Sequence, residues 1–342
     1  MIVDKKKEIL VSIICIAYNH EKYIRFALNG FLMQKTNFKY EILVHDDAST
    51  DNTAMILKEY QDKYPDLIHV VYQKENQHSK GNSPIMILLE QARGKYLAFC
   101  EGDDYWIDDK KLQRQVDFLI NNMEYGAIYH NVDIVDEENV IFYDNDAQNT
   151  FPKYQSYTLE KNKLLIGYIT GQLGTLVCRN FYVNFTQKDK LAYRNCKANG
   201  DTKINLLLNS IGKIKYIEDI MSCYRRTYIG DSYNARNKNK DFSSIRLKNI
   251  YELSKMIEDI FCMKISSGRI KDSIYRLTGD YLMDFIKSRT KVKFYIFLNL
   301  YRMLDNKLAF NGYFVMRMMR YILKKLKLVE ILPQNECIID KK

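Results

Sequence analysis

The stretch LVSIICIAYNH, residues 10–20, decides the fold. Its first seven residues are apolar apart from Ser12 and largely β-branched, which is typical of a strand buried on both faces of a sheet. Ala17-Tyr18-Asn19-His20 follow directly where that strand should end. The stretch therefore predicts a central strand and, beyond its carboxyl end, a rim at which a ligand can bind.

The same unit recurs along the first hundred residues. Further strands are predicted at 40–44, 68–72 and 96–100, with helices at 52–64 and 84–92 between them. Strands and helices that alternate at this spacing specify right-handed crossovers and a largely parallel sheet with helices on both faces. The sequence therefore predicts an α/β fold with a Rossmann-like sheet.

Acidic residues follow two of the predicted strands. Asp46 and Asp47 come after the second strand, and Glu101, Asp103 and Asp104 come after the fourth. Carboxylates this close raise one another's pKa unless a cation shares the site. Hard oxygen ligands suit Mg²⁺ or Mn²⁺ that is also held by substrate phosphates, which favours nucleotide chemistry. Asp and Glu are also ordinary turn and N-cap residues, so an acidic turn by itself is a weak signal.

Three segments resemble the N-terminal motifs of glycosyltransferase family 2: VSIICIAYNHEKYI (11–24), EILVHDDASTDNT (41–53) and KYLAFCEGDDYW (95–106). Members of that family are inverting, nucleotide-sugar-dependent enzymes with the GT-A fold. The resemblance extends over about residues 9–232. A further block that begins at Asn199-Gly200-Asp201 is similar to the acceptor-side block of the family, in which a carboxylate that opens a helix is the catalytic base.

The resemblance implies a role for each acidic group. Asp46 and Asp47 would contact the nucleotide base, which the segment Ala17, Tyr18 and Asn19 can wrap with backbone groups and an aromatic face. Glu101 and Asp103 would reach the ribose and the metal ion. Glu101 stands where the family usually has Asp, so metal contact is expected to rest more on Asp103 and Asp104.

Asp201 is the expected catalytic base. Inversion requires a hydroxyl to attack the anomeric carbon from the face opposite the nucleoside diphosphate, with a base near its proton and a cation on the leaving phosphates. Glu218 and Asp219, just past a predicted strand at 213–217, are alternative bases. A helix N-cap is the structural alternative for Asp201.

Three cationic residues are candidates for holding the diphosphate. Arg225 and Arg226 can bind phosphate oxygens bidentately, and they stand beside Thr227, where many relatives have a His that completes the metal or diphosphate site. Lys80, in the loop QHSKGNS, is the third.

Acceptor contacts are expected from two residues. Trp106 could stack on the acceptor sugar, or it could anchor its loop to the core. Thr175 belongs to the loop 170–175, which is expected to take part in acceptor choice.

Composition divides the chain in two. Residues 231–241 (DSYNARNKNKD) are polar and predict a mobile linker between a catalytic domain, 1–230, and a helical, basic region, 242–342. Within the domain, about 1–105 is the nucleotide-sugar half and about 106–230 the acceptor half. Helices are predicted at 242–260, 266–287 and 294–304.

The net charge of +10 is concentrated near the C-terminus, where Asp305 is the single acidic residue between Lys287 and Lys327. Residues 312–328 are predicted to form a basic amphipathic helix. Such a helix binds an anionic membrane surface or packs on the catalytic domain with its basic face in solvent.

Other features exclude several classes of protein. The N-terminus lacks the apolar region of a signal peptide and no run of eighteen apolar residues occurs, so a cytoplasmic location is expected, peripheral on the inner face of the membrane if the basic helix binds lipid. Seven cysteines without a C-x-x-C pair indicate thiols in a reducing compartment. The five histidines lack the spacing of a zinc site.

Three functions remain. The first is an inverting glycosyltransferase that moves a sugar from a nucleotide sugar, expected to be UDP-linked, to a hydroxyl of a glycan or lipid-linked acceptor in surface polysaccharide, lipopolysaccharide or capsule synthesis. The second, a nucleotidyltransferase, would want a Gly-rich phosphate loop after the first strand, and residues 17–20 are not one. The third, a basic membrane- or nucleic-acid-binding protein, leaves the acidic rim unexplained, and no nucleic acid partner is expected.

Overall fold

The computed structural model describes residues 8–142, 153–226, 243–262, 265, 267–288, 291–302, 304, 307 and 310–315. The strands are β1 (Ile9–Ala17), β2 (Lys39–Asp46), β3 (Ile68–Tyr72), β4 (Tyr96–Phe99), β5 (Tyr105–Trp106), β6 (Tyr125–Val135), β7 (Tyr157–Leu159), β8 (Val177–Arg179) and β9 (Lys213–Arg225). The helices are α1 (Ile24–Leu32), α2 (Thr53–Lys63), α3 (Pro84–Leu89), α4 (Lys111–Asn121), α5 (Gln187–Asn195), α6 (Gly200–Ile211), α7 (Ser243–Phe261), α8 (Ser267–Ser288) and α9 (Lys291–Arg302).

One mixed sheet contains these strands, in the order β3-β2-β1-β4-β8-β6-β9-β5, with β7 also paired to β9. β1, β2, β3 and β4 are parallel to one another. β8 is antiparallel to both β4 and β6, and β6 is parallel to β9, so six of the nine described strands run in one direction. The predicted mostly parallel sheet is confirmed, and the short strands β5, β7 and β8 supply the antiparallel pairs.

Helices cover both faces of the sheet. Along β1, Val11, Ile13 and Cys15 belong to a core shared with α1, α2 and α4. Ile14, which points to the other face, belongs to a core shared with α3, α5 and α6. This alternation explains why the first strand is apolar at nearly every position, since both of its faces are buried.

The helical extension packs on the same core. Leu253 and Met256 of α7 join the cluster that contains α6. The Ser273 hydroxyl of α8 accepts a hydrogen bond from the backbone N–H of Ile166 at 3.0 Å, and the Tyr168 hydroxyl donates to Asp280 at 2.8 Å. The three predicted C-terminal helices are therefore present, and α7 and α8 contact the sheet-containing part directly.

Two predictions fall largely on residues that the structure does not describe. The expected linker at 231–241 and most of the basic helix at 312–328 lie outside the described residues, and so does Thr227. Among the helices that are described, none is both long enough and apolar enough to cross a bilayer.

Candidate functional site

The loops after β1, β2 and β4 meet at one edge of the sheet. Ala17 is paired with Asp46 in the register of β1 and β2, and the backbone N–H of Asp47 donates to the Ala17 carbonyl at 2.9 Å. The Gly102 N–H donates to the Ile16 carbonyl at 2.8 Å. Because the carboxyl ends of parallel strands share an edge, residues spread over some eighty positions of sequence are brought to one rim, as predicted.

The segment that follows β1 is fixed to the loop after β2. Asn19 has a positive φ of 54°, a conformation that Asn tolerates better than most residues. Its N–H donates to the Ser49 hydroxyl at 3.0 Å and its side-chain oxygen accepts from the Thr50 N–H at 2.8 Å. Tyr18, half-buried, lies between this anchor and the strand. The segment expected to wrap a nucleotide base is thus held in one shape.

The two carboxylates after β2 differ in their partners. Asp46 is buried, and one of its oxygens accepts from the Ser49 hydroxyl at 2.5 Å; burial raises the pKa of this carboxyl. The oxygens of Asp47 accept from the backbone N–H groups of Gln77 at 2.7 Å and His78 at 3.1 Å. Asp47 therefore anchors the loop between β3 and α3, which leaves Asp46 as the better candidate for a base contact.

The acidic turn after β4 brings three carboxylates together. Glu101, Asp103 and Asp104 each offer an oxygen, and these oxygens lie within 4.8 Å of one another. Gly102 allows the turn to lie close to β1, because a Cβ there would approach the His20 Nδ1 and the Ile24 Cδ1 to 2.9 Å. Three hard oxygen donors at this spacing fit Mg²⁺ or Mn²⁺.

Loss of hydration and, to a smaller extent, mutual repulsion raise the pKa of two of these carboxyls. For Glu101, which keeps contact with solvent at the rim, the loss of hydration is the main cause and the charges of Asp103 and Asp201 add to it. For Asp104, which is buried, desolvation again comes first, followed by Asp103 and Glu101. A divalent cation among the three would remove this repulsion.

Asp104 is held from two sides. Its Oδ2 accepts from the Gln172 side-chain amide at 2.6 Å, and its Oδ1 accepts from the Arg225 backbone N–H at 2.8 Å. Asp103 and Glu101 are the more accessible members of the cluster. The cluster thus offers two carboxylates that are accessible to solvent, Glu101 and Asp103, and one buried carboxylate, Asp104, that two hydrogen bonds hold in place.

The structure does not favour the predicted diphosphate contact of Arg225. Its side chain is 2% exposed, and the guanidinium donates to the carbonyl groups of Asp103 at 2.9 Å and Asp136 at 2.6 Å and to the Asn139 side-chain oxygen at 2.6 Å. The same group lies 4.3 Å from the centre of the Tyr23 ring. A guanidinium whose donors are used internally is not available to a phosphate.

Asp201 lies in the first turn of α6, as predicted, and keeps contact with solvent. Because α6 leads into the start of the parallel strand β9, its N-terminus faces the carboxyl edge of the sheet. Loss of hydration raises the pKa of Asp201. The charge of Asp201 also contributes to the raised pKa of Glu101, so the two carboxylates lie close enough to interact electrostatically.

The alternative bases have other partners or positions. Asp219 accepts from the Arg114 guanidinium of α4 at 2.6 Å, an ion pair that occupies its carboxylate. Glu218 is exposed in the irregular middle of β9, where its carbonyl accepts from the Asn131 amide at 2.8 Å. Neither lies at the end of β9 next to the acidic turn, as Arg225 does.

Both residues predicted to contact the acceptor are buried in this structure. Trp106 is 2% exposed, its indole N–H donates to the Gly174 carbonyl at 2.9 Å, and its ring packs edge-on against Phe31 at 4.8 Å. Thr175 is fully buried, and its hydroxyl donates to the Gln172 carbonyl at 2.7 Å. A sugar cannot reach either side chain in this structure. Trp106 instead anchors its loop to the core, which was the alternative to stacking on a sugar.

The remaining cationic candidates are more accessible than Arg225. Lys80 is exposed in the loop that Asp47 anchors, where it forms an ion pair with Glu75. Arg226 is half-buried directly after β9, and its backbone N–H donates to the Val135 carbonyl at 2.9 Å.

Two residues at the site were missed by the sequence reasoning. His20 lies with its Nε2 3.9 Å from the Asp103 Oδ2; its position directly after β1 was a signal that could have placed it at the rim. Gln172 fixes Asp104, but nothing in the sequence pairs an amide at 172 with a carboxylate at 104.

Comparison with known proteins agrees with this geometry. Residues 12–179 match the family model described as Glycosyl transferase family 2. An uncharacterized protein of Mycobacterium tuberculosis is 33% identical over 245 residues, which cover 69% of this chain and 64% of the relative. The Escherichia coli protein WfgD, named as a UDP-Glc:alpha-D-GlcNAc-diphosphoundecaprenol beta-1,3-glucosyltransferase, is 30% identical over 185 residues, 53% of this chain and 66% of that one. The chain therefore matches slightly less than two thirds of the length of these relatives.

Solved structures support the fold. Residues 1–349 of Staphylococcus aureus TarS, crystallised with UDP-GlcNAc, align with a TM-score of 0.58 at 18% identity, over 85% of this chain and 79% of that one. The expected GT-A fold is confirmed by this likeness. Together with the family match and the relatives, it identifies the family: the chain belongs to glycosyltransferase family 2.

Proposed function

We propose that this protein is an inverting glycosyltransferase that moves a sugar from a UDP-linked donor to a hydroxyl group of a glycan or lipid-linked acceptor, in the synthesis of a surface polysaccharide, lipopolysaccharide or capsule. The names of the relatives support the donor and acceptor classes, since WfgD is named for a UDP sugar and a diphosphoundecaprenol-linked acceptor. The proposed location is the cytoplasm.

One observation carries the proposal. Asp201, at the start of α6, lies close enough to Glu101 for its charge to raise the Glu101 pKa, while Glu101, Asp103 and Asp104 cluster within 4.8 Å. A carboxylate that faces a candidate cation site across a rim is what an inverting transfer requires: a base on one side of the anomeric carbon and the leaving diphosphate on the other.

The roles follow from these positions. Asp46 accepts from the ring N–H of the base, and the fixed segment 17–19 packs along that base. Asp103 and Glu101 contact the ribose and hold the cation with Asp104, and a bound Mg²⁺ or Mn²⁺ would neutralise charge on the leaving diphosphate. Asp201 orients the acceptor hydroxyl and removes its proton.

The raised pKa of Asp201 suits this task, because a stronger base takes a proton more readily from a hydroxyl group. Lys80 and Arg226 are the proposed cationic contacts of the diphosphate. For Lys80 this requires its surface ion pair with Glu75 to open, at little cost for an exposed pair.

The test of the base is Asp201→Asn, which keeps the shape of the side chain and removes its basicity. We expect UDP binding, measured by calorimetry, to stay within about twofold, and sugar transfer to fall by ~10²–10⁴-fold, the usual contribution of a general base. Asp219→Asn is the matched control, because Asp219 is paired with Arg114 away from the acidic turn. If Asp201→Asn retains turnover while Asp219→Asn loses it, the assignment of the base is wrong.

A second experiment separates an enzyme from a non-catalytic binding protein. UDP with Mn²⁺ should raise the melting temperature of the wild-type protein, and Asp103→Ala should abolish that rise together with transfer. A screen of nucleotide sugars for release of the free nucleotide then identifies the donor. Absence of protection by every nucleoside diphosphate in the wild-type protein would refute the proposed function.

A further inference from the structure

We propose that Arg225 is a positioning residue that presets the metal-binding turn at 101–104, acting through the backbone and never through the substrate. This inference rests on the proposed function. It differs from the direct phosphate contact for which the sequence made Arg225 a candidate.

Arg225 holds two consecutive residues of the turn. Its backbone N–H donates to the Asp104 Oδ1 at 2.8 Å, and its side-chain Nε donates to the Asp103 carbonyl at 2.9 Å. Gln172 donates to the second oxygen of Asp104 at 2.6 Å. These bonds direct both oxygens of Asp104 and fix the backbone from which the Asp103 carboxylate projects.

The guanidinium is itself fixed by the turn that follows β6. Nη1 donates to the Asp136 carbonyl at 2.6 Å, and Nη2 donates to the Asn139 side-chain oxygen at 2.6 Å. The guanidinium carbon also lies over the ring of Tyr23, just before α1, at 4.3 Å from the ring centre. Arg225 thereby ties the acidic turn to two other elements, and Lys could not replace it because a single ammonium lacks the planar set of donors.

The turn needs such a tie because its three carboxylates repel one another. One carboxylate oxygen from each of Glu101, Asp103 and Asp104 lies within 4.8 Å of the others, and like charges at this separation repel. A turn free to relax would spread these oxygens, and a cation would then have to pull them together at a cost in affinity. Groups that orient metal ligands without touching the metal typically contribute 10–100-fold to metal affinity.

The experiment compares Arg225→Lys with the wild-type protein. Mn²⁺ is titrated by calorimetry into the protein saturated with UDP, and UDP affinity is measured separately in the absence of metal. We expect Arg225→Lys to weaken Mn²⁺ binding by about tenfold or more, while metal-free UDP affinity stays within about twofold. Arg179→Lys is the matched control, because Arg179 also donates to backbone carbonyls, of Tyr125 and Leu119, but lies beside the opposite end of β4.

A milder variant keeps the test decisive if Arg225→Lys does not fold. Asn139→Gly removes the oxygen that accepts from Nη2 but keeps the positive φ of 64°, which Gly adopts easily. It should weaken Mn²⁺ binding in the same direction by a smaller factor.

Several results would overturn the inference. Loss of metal-free UDP affinity with unchanged Mn²⁺ affinity would make Arg225 a diphosphate contact, and a lower melting temperature with both affinities unchanged would make it a purely structural residue. A wild-type protein whose UDP complex binds no Mn²⁺ would refute the metal site of the proposed function, and this inference with it. Wild-type Mn²⁺ binding that Arg225→Lys leaves intact would refute the inference alone.

Discussion

Lys111, whose side chain lies over the Trp106 ring close to the acidic turn in sequence, allows a quantitative test of the structure. Its side chain is fully buried, with Nζ 2.8 Å from the Gln115 side-chain oxygen and 4.2 Å from the centre of the Trp106 ring. Burial lowers the pKa of this lysine from 10.5 to about 7. Between these values the unfolded chain binds a proton that the folded protein does not, so Lys111 destabilises the fold at low pH and this penalty fades as pH rises towards 10.5.

The variant Lys111→Met removes the ionisable group and keeps an unbranched apolar side chain. The slope in this range is about 1.4 kcal/mol per pH unit at most. The free energy of unfolding of the wild-type protein should therefore rise relative to that of the variant by ~2 kcal/mol between pH 7 and pH 9. Below about pH 7 the difference should level off, because both states are then protonated.

Urea unfolding of both proteins at several pH values measures this quantity. The difference between them is needed because buried thiols such as Cys15, whose pKa burial raises, lower stability as pH rises above their unfolded values. Lys110→Met, at the exposed neighbouring position, is the control and should leave the pH dependence unchanged. A difference between wild type and Lys111→Met that stays constant from pH 6 to pH 9 would show that Lys111 is charged in the folded protein and would refute the reasoning.

Two further predictions concern Trp106 and the C-terminus. Trp106→Ala should lower the free energy of unfolding by about 3–5 kcal/mol, as large-to-small core changes do, and Trp106→Phe should lower it less; a stable Trp106→Ala protein with altered acceptor preference would instead restore the role in sugar stacking. The charge pattern of 312–328 predicts binding to anionic vesicles, which deletion of 312–342 should abolish while UDP binding persists. Vesicle sedimentation at low and high salt measures this, and unchanged binding of the shortened protein would contradict it.

The sequence predicted the elements that periodicity alone specifies. β3 was predicted at the observed bounds, and the α/β order, the rim and the acidic turn followed from apolar runs and the residues after them. Trp106 could not be placed in this way, because its burial depends on Gly30 of α1, where a Cβ would approach the Trp106 backbone to 2.9 Å. Such close packing between distant segments leaves no periodic signal.

The partners of the polar side chains were equally hidden. Arg225 was a candidate for holding a diphosphate, yet its acceptors include Asp136 and Asn139, almost ninety positions earlier in the chain. Asp46 and Asp47 looked equivalent in the sequence. In the structure the backbone N–H groups at 77–78 bind Asp47, which makes Asp47 an anchor and leaves Asp46 as the candidate for a ligand contact. Residue type and spacing indicated where the candidate site lies, whereas the tertiary contacts decide which of its polar groups are already bound to other residues.

The position of α7 has a practical consequence for dissecting the protein. Leu253 and Met256 of this helix lie in the same apolar cluster as Ile204 and Leu208 of α6. The first turn of α6 contains Asp201. A fragment cut at residue 242, where composition suggests a natural break, would leave that side of α6 facing water. Inactivity or precipitation of such a fragment would then report the loss of support behind the base, and it would not show that the removed helices touch a substrate.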